Sequence, residues 1–162
     1  MAISALQLLK SHIEEVSVKA NQAFDKENSV EDKNFQVFFQ KDEMVDDPCK
    51  NRVRLTISQT GPNVAYHFRI IMVGFFEVSK EYLEKKGPED TERLVAVNGP
   101  AVLYSAAREV LATISARGPY RDENIEILLP TITFINFQLE KAKDEKKPAK
   151  KPTKKKKKTE KK

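Results

Sequence analysis

Apolar and polar positions alternate most clearly in three stretches. Phe35, Val37 and Phe39 alternate in NFQVFFQKD, and Val53, Leu55 and Ile57 in RVRLTISQT. Val64, Tyr66, Phe68, Ile70 and Met72 do so in NVAYHFRIIMVGFF. A period of two predicts strands. Asp46-Asp47-Pro48 and Thr60-Gly61-Pro62-Asn63 supply turn chemistry between them. Short turns between consecutive strands predict an antiparallel meander. The third strand becomes apolar on both faces at its far end, through Ile71, Val73, Phe75 and Phe76. Additional structure is expected to meet it there.

The longest helical period lies between Leu94 and Phe137. Asn98 is a good cap and Pro100 suits a first turn. Val102, Ala106, Val110 and Ile114 then follow a helical stripe, thickened by Leu103, Ala107 and Leu111. Arg117 sits near the negative end of the helix dipole, and Gly118-Pro119 stops the run. Arg108, Glu109 and Arg117 are the only charges of this helix, and Ala and Ser fill much of the rest. A helix so short of charge is usually buried on more than one side, which in a small protein points to a subunit interface. The charged Ser79–Arg93, broken by Gly87-Pro88, predicts a short helical turn and a loop crossing from the sheet to this helix. A second helix is expected from near Thr133 through Leu139 towards Lys147.

The first segment, Ala5–Phe24, is ambiguous. Leu6, Leu9, Ile13, Val16, Ala20 and Phe24 make a helical stripe, yet Val16, Val18 and Ala20 also alternate as in a strand. Periodicity favours the helix.

Composition changes the picture mainly through charge. The 162 residues suffice for one domain, with 40% apolar residues, no tryptophan and 33% charged residues. The net charge of +5 hides an asymmetry. Residues 140–162 hold thirteen lysines and four acids, or +9, while residues 1–139 hold sixteen bases and twenty acids, or −4. The body is mildly acidic and the end is a low-complexity basic tail, expected to be disordered. Cys49 is the single cysteine, which excludes an intramolecular disulfide and fits a reducing compartment. No signal-peptide pattern is visible at the start, and no run of about 18 apolar residues is present. A cytoplasmic location is the default expectation.

Little in the chain points to catalysis. His12 and His67 are far apart, and no Cys or second His stands at metal-ligand spacing. No glycine-rich phosphate loop occurs. Cys49, beside Pro48 in a turn, has no sequence-adjacent base, and Ser105 and Ser115 lack a nucleophile-elbow context. The expectation is a protein that is no enzyme and carries no metal or cofactor. The lysine tail fits a solvated tail, a weak electrostatic contact with RNA or acidic lipid, or an acidic protein partner. It has no aromatics for base stacking.

Four features in order resemble the bacterial protein-export chaperone SecB and its SecB-like relatives. They are Gly74-Phe75-Phe76 at a strand end; Gly99-Pro100, Val102-Leu103 and Ala107-Arg108-Glu109 along a helix; Arg117-Gly118-Pro119-Tyr120 at its stop; and Leu129-Pro130 followed by Phe134. The match is specific from about Gly74 to Phe137. It implies an α+β fold: a four-stranded antiparallel sheet with a long helix and a C-terminal helix, packed as a dimer of dimers with long helices between the sheets. Residues 1–139 would form the chaperone domain, and 140–162 the helix end and the tail. The family opens with a strand where Val16-Ser17-Val18-Lys19-Ala20 stands here, so the resemblance implies a strand against the periodicity.

The resemblance further implies an ATP-independent holdase for unfolded polypeptides. Preproteins for export are the expected clients; service to a narrow client such as an antitoxin, and a basic-tailed nucleic-acid-associated protein, are the alternatives. A holdase needs apolar grooves and strand-edge donors. Phe75, Phe76, Val78 and Tyr82 are the groove candidates, with Leu128, Leu129 and Ile132 as opposite walls. Val102, Ala106, Val110 and Ile114 are the candidates for the homotetramer interface. In the family, acidic side chains on the outer sheet face take part in docking the motor SecA. Glu15 matches one such position, but Lys19 and Arg69 stand where two further acids are expected, with His67 beside them. Arg52 and Arg54 also point outward by alternation. Charge reversals of this kind alter association strongly, so SecA is a partner that the resemblance suggests and this face puts in doubt.

Overall fold

The computed structural model describes residues 4–25, 34–44, 47–120 and 125–135. Four strands, β1 (Leu6–Ala20), β2 (Gln36–Met44), β3 (Asp47–Gln59) and β4 (Tyr66–Val78), precede one long helix, α1 (Lys80–Ser115). The sheet runs β1-β4-β3-β2 and every pairing is antiparallel. The expected α+β class, with a four-stranded antiparallel sheet and a long helix, is therefore observed.

β1 is a strand along its whole length, as the family resemblance implied and the periodicity did not. Register shifts between Leu8 and Lys10 and between Ile13 and Glu15 mark two irregularities in its pairing with β4. Each extra residue offsets the alternation. Leu6, Leu8, Ile13, Val16, Val18 and Ala20 consequently oppose Val78, Phe76, Met72, Ile70, Phe68 and Tyr66 on one face. A strand interrupted in this way imitates the three- and four-residue spacing of a helix.

The core lies between that face and α1. Val53, Leu55 and Ile57 of β3, and Phe68, Ile70, Met72 and Phe76 of β4, are buried against Val95, Leu103, Ala107 and Leu111. Close approach is possible because each layer carries a glycine at the contact. A Cβ at Gly74 would lie 2.7 Å from the Phe76 ring and 2.9 Å from Leu103 Cδ2, and one at Gly99 would lie 2.9 Å from Val53 Cγ2.

α1 begins eighteen residues before the expected Asn98 cap. Ser79 is the N-cap and accepts a hydrogen bond from the Tyr82 N–H at 3.3 Å. Gly87, at φ +83°, breaks the helical path, and Pro88 restarts it with its preset φ. Ser79–Arg93, expected as a short helical turn and a loop, is thus helical on both sides of Gly87. Gly99-Pro100 lies inside the helix and is buried, and the Asn98 side chain donates to the Leu94 carbonyl at 2.9 Å instead of capping.

The helix stop is a three-way latch. The Tyr66 hydroxyl donates to the Ser115 carbonyl at 3.2 Å, and the Tyr120 hydroxyl donates to the Asn21 carbonyl at 2.6 Å. Asn21 in turn donates to the carbonyls of Pro62 and Val64. The end of β1, the β3–β4 turn and the end of α1 are thus joined, and a Cβ at Gly118 would collide with the Tyr66 hydroxyl. Residues 125–135 form neither a helix nor a strand of the sheet. Thr133–Ile135 are not helical, and the rest of the expected C-terminal helix, like the lysine tail, lies outside the described residues.

Replacing Gly74 by Ala is expected to destabilise the protein by about 1–3 kcal/mol, as overpacked cores do. A urea melt followed by circular dichroism, compared with an exposed control such as Ser105→Ala, checks it.

Candidate functional site

The helix is narrower than the sheet, so its two flanks differ. On the β2 side, Tyr104 stacks against Phe35 with ring centroids 6.5 Å apart. Phe134 fits edge-on against both Tyr104, at 5.9 Å, and Phe39, at 5.8 Å. Residues 125–135 therefore close this flank, with Ile127, Leu129 and Phe134 buried.

The β1 side is open. Val102, Ala106 and Val110 lie roughly opposite Tyr104 around the helix, since successive residues turn by about 100°. Val102 and Ile114 remain 43% and 38% exposed, while Ala106 and Val110 are half-buried. Beside them on the helix-facing side of β1, Leu8, Ile13 and Val16 are 41–43% exposed. Leu9, at the first irregularity, is also exposed. β1 is an edge strand, paired among the described residues with β4 alone. Apolar side chains and open backbone groups thus share one flank. The residues that hold α1 to its own sheet are Leu103, Ala107 and Leu111. The four interface candidates form the neighbouring stripe.

The seven groove candidates do not share a surface. Phe76, Val78 and Leu129 are buried, Tyr82 and Ile132 are half-buried, and Leu128 is 76% exposed. Phe75 points to the opposite sheet face from Phe76, where it stacks on His12 at 6.1 Å. Strand alternation places neighbours on opposite faces, which makes a shared Phe75–Phe76 wall impossible. The helix half of the open flank is the stripe expected from the sequence, and only its β1 half was not. Its signal lay in Leu8, Ile13 and Val16, which make one face only when the two irregularities in β1 are known.

The outer sheet face is a network of charge laid over apolar residues. Arg54 Nε donates to Glu14 at 2.7 Å, and Arg52 donates to the same carboxylate at 3.3 Å. Arg52 also lies 3.9 Å from Asp42. Glu14 is on β1 and both arginines are on β3, so the pair spans β4. Val73, opposite Arg54 in one pairing and His12 in the other, is fully buried. The arginine stems cover it while their heads stay wet. This accounts for the two-sided apolar end of β4.

Of the four docking-face candidates, Arg69 donates to Glu15 at 3.2 Å, and His67 Nε2 lies 2.8 Å from the Gly61 carbonyl. Lys19 stands opposite His67 in the β1–β4 register. All four share the outer face, and the Arg69–Glu15 pair offsets part of the positive charge seen in the sequence.

Elsewhere the chemistry is sparse. Cys49 is buried, and Asp47 accepts from its backbone N–H at 3.0 Å. Among the described residues, no group of three or more His, Cys, Asp or Glu side chains is placed to hold a metal ion, and no helix is long and apolar enough to cross a membrane.

Comparison with known proteins gives structural neighbours only. No family model matches the chain, and no curated protein matches it. Among solved structures, the chain is similar to the Mycobacterium tuberculosis SecB-like chaperone Rv1957 in complex with a ChAD peptide from the Rv1956 HigA1 antitoxin. The TM-score is 0.47 and the identity 15%, covering 79% of this chain and 91% of that one. It is also similar to a Streptococcus agalactiae protein of unknown function, with TM-score 0.45 and 11% identity, covering 81% of this chain and all of that one.

The Glu14 network yields a pH dependence. The Arg54 hydrogen bond, aided by the charges of Arg54, Arg52 and His12, holds the Glu14 carboxyl below its ordinary value of 4.5, although partial desolvation opposes this. A depressed folded-state pKa stabilises the protein above the ordinary carboxylate range, and that contribution is lost as pH falls through the folded value. Thermal melts of Glu14→Gln and the parent chain should therefore differ at pH 7 and converge at acidic pH. A constant difference across the range would contradict this.

Proposed function

We propose that the chain is an ATP-independent holdase that captures unfolded polypeptides, and that it acts by binding alone without a catalytic step. The observation that carries the reading is that ten large apolar side chains stay exposed among the described residues: six in β1 and α1, on the side that suits a second copy, and Phe38, Met44, Leu128 and Ile135 elsewhere, free for a client. Exposed apolar surface of this extent marks interaction sites. The four-part sequence resemblance to SecB-like chaperones points the same way.

The physical basis is passive. Burying each such side chain contributes about 1.5–3 kcal/mol, and an open strand edge adds sequence-independent hydrogen bonds. Association costs about 4–15 kcal/mol in lost freedom, so several anchors must engage together. Client segments rich in apolar residues are thereby selected over folded surfaces, and release follows when a client buries its own apolar residues.

The β1–α1 flank suits a second copy of the chain, through Val102, Ala106, Val110 and Ile114 and the apolar residues of β1. A dimer of dimers, as the sequence resemblance implies, is the proposed assembly. Clients are proposed to engage the opposite flank, where Leu128 and Ile132 lie. The single buried cysteine suits a reducing cytoplasm. The outer face, with Arg69 and Lys19 where the family carries acids, does not favour docking to SecA.

The test is light scattering of a chemically unfolded client diluted with and without the protein, with no nucleotide present. Suppression of aggregation at stoichiometric amounts is expected, and none at stoichiometric excess would overturn the proposal. Suppression across unrelated clients favours export service, whereas suppression confined to one client class favours a dedicated chaperone. In the same preparations Val102→Asp with Ile114→Asp should lower the mass measured by sedimentation.

A further inference from the structure

Residues 125–135 lie in the fold as a bound peptide would. They run back alongside α1, since Ile127 is tied to Ser115 at the helix end and Pro130 to Tyr104, eleven residues earlier. Ile127, Leu129 and Phe134 enter the apolar layer at 7%, 4% and 2% exposure, while Leu128 and Ile135 between and beyond them are 76% and 61% exposed. The segment is neither helix nor sheet strand, and its burial alternates from residue to residue over 126–130.

Two of the hydrogen bonds that hold it have a particular chemistry. The Ser115 hydroxyl accepts from the Ile127 backbone N–H at 2.8 Å, and the Tyr104 hydroxyl donates to the Pro130 carbonyl at 2.8 Å. On the groove side both partners are side chains. On the segment side both are main-chain groups, which any polypeptide carries. Side-chain selection is left to apolar contacts, such as the Phe134 ring against Phe39 and Tyr104.

We propose that the channel between α1 and β2 is a polypeptide-binding groove that the chain's own residues 125–135 occupy at rest. The ligand that displaces them is an extended, unfolded segment with apolar side chains at positions i, i+2 and i+7, the spacing of Ile127, Leu129 and Phe134. This rests on the holdase reading for its physiological client, and it makes occupancy of the groove the device that regulates capture. A client must outcompete a tethered copy of its own pattern, so short or weakly apolar segments are rejected. A segment held by pockets and side-chain hydrogen bonds, without a strand ladder, belongs to the part of the fold that opens most readily.

The test uses a fluorescent peptide of residues 125–135 added to the full chain. The parent, whose groove is filled, should bind it weakly. Ile127→Asp with Leu129→Asp, which expels the internal segment, should bind it at least about tenfold more tightly. Should that variant lose its helical circular dichroism, Ile127→Ala with Leu129→Ala replaces it. A folded variant that binds the peptide no better than the parent overturns the proposal. Hydrogen exchange on the parent gives a second readout: saturating unfolded client should remove protection of the Ile127 amide, and protection unchanged by bound client overturns the groove assignment. A chain that captures no client at all refutes the holdase reading, and the peptide experiment still decides the groove.

Discussion

The close seating of α1 on the two central strands is the constraint on which the rest depends. Gly74 on β4 and Gly99 on the helix remove Cβ atoms where the layers pack, with Phe76 and Leu103 against the first and Val53 and Phe76 against the second. Interiors packed at crystal-like density leave little tolerance for an added methyl group. With the helix seated on β3 and β4 and touching β1, part of β1 and most of β2 extend past its cover.

The two flanks meet that exposure differently. On the β2 side the chain folds back on itself, and Phe134, Tyr104, Phe39 and Phe35 form a chain of ring contacts that closes the edge. On the β1 side Leu8, Ile13 and Val16 stay open next to Val102 and Ile114. A single chain that closes one apolar flank with its own residues and leaves the other open is suited to self-association on the open side. The outer sheet face follows a third solution. There Glu14, Arg52 and Arg54 shield Val73 with aliphatic stems and paired heads. Such pairs contribute modestly to stability because they remain in contact with water.

Much of this was legible in the sequence. The alternation in RVRLTISQT and NVAYHFRIIMVGFF identified β3 and β4, and the period through Leu103, Ala107 and Leu111 identified the packed face of α1. Arg117-Gly118-Pro119-Tyr120 marked the helix stop, and the structure supplies its reason in the Tyr120–Asn21 and Tyr66–Ser115 hydrogen bonds. The candidate site was less legible. Phe75 and Phe76 read as a pair in sequence but face opposite ways, and Leu129 reads as a groove wall but is buried.

Local pattern by itself determined which segments must hide one face, because burying apolar side chains requires that face to repeat with the period of the backbone. It settled the two central strands, the packed side of the helix and the chemistry of the helix stop. Tertiary structure alone decided what covers each face. β1 became a strand through pairing with β4, with two irregularities that no local period encodes. The start of α1 moved to Ser79, and the choice between covered and open flanks came from where residues 125–135 return. Coverage is a property of long-range neighbours, and a side chain carries no record of which neighbour will reach it.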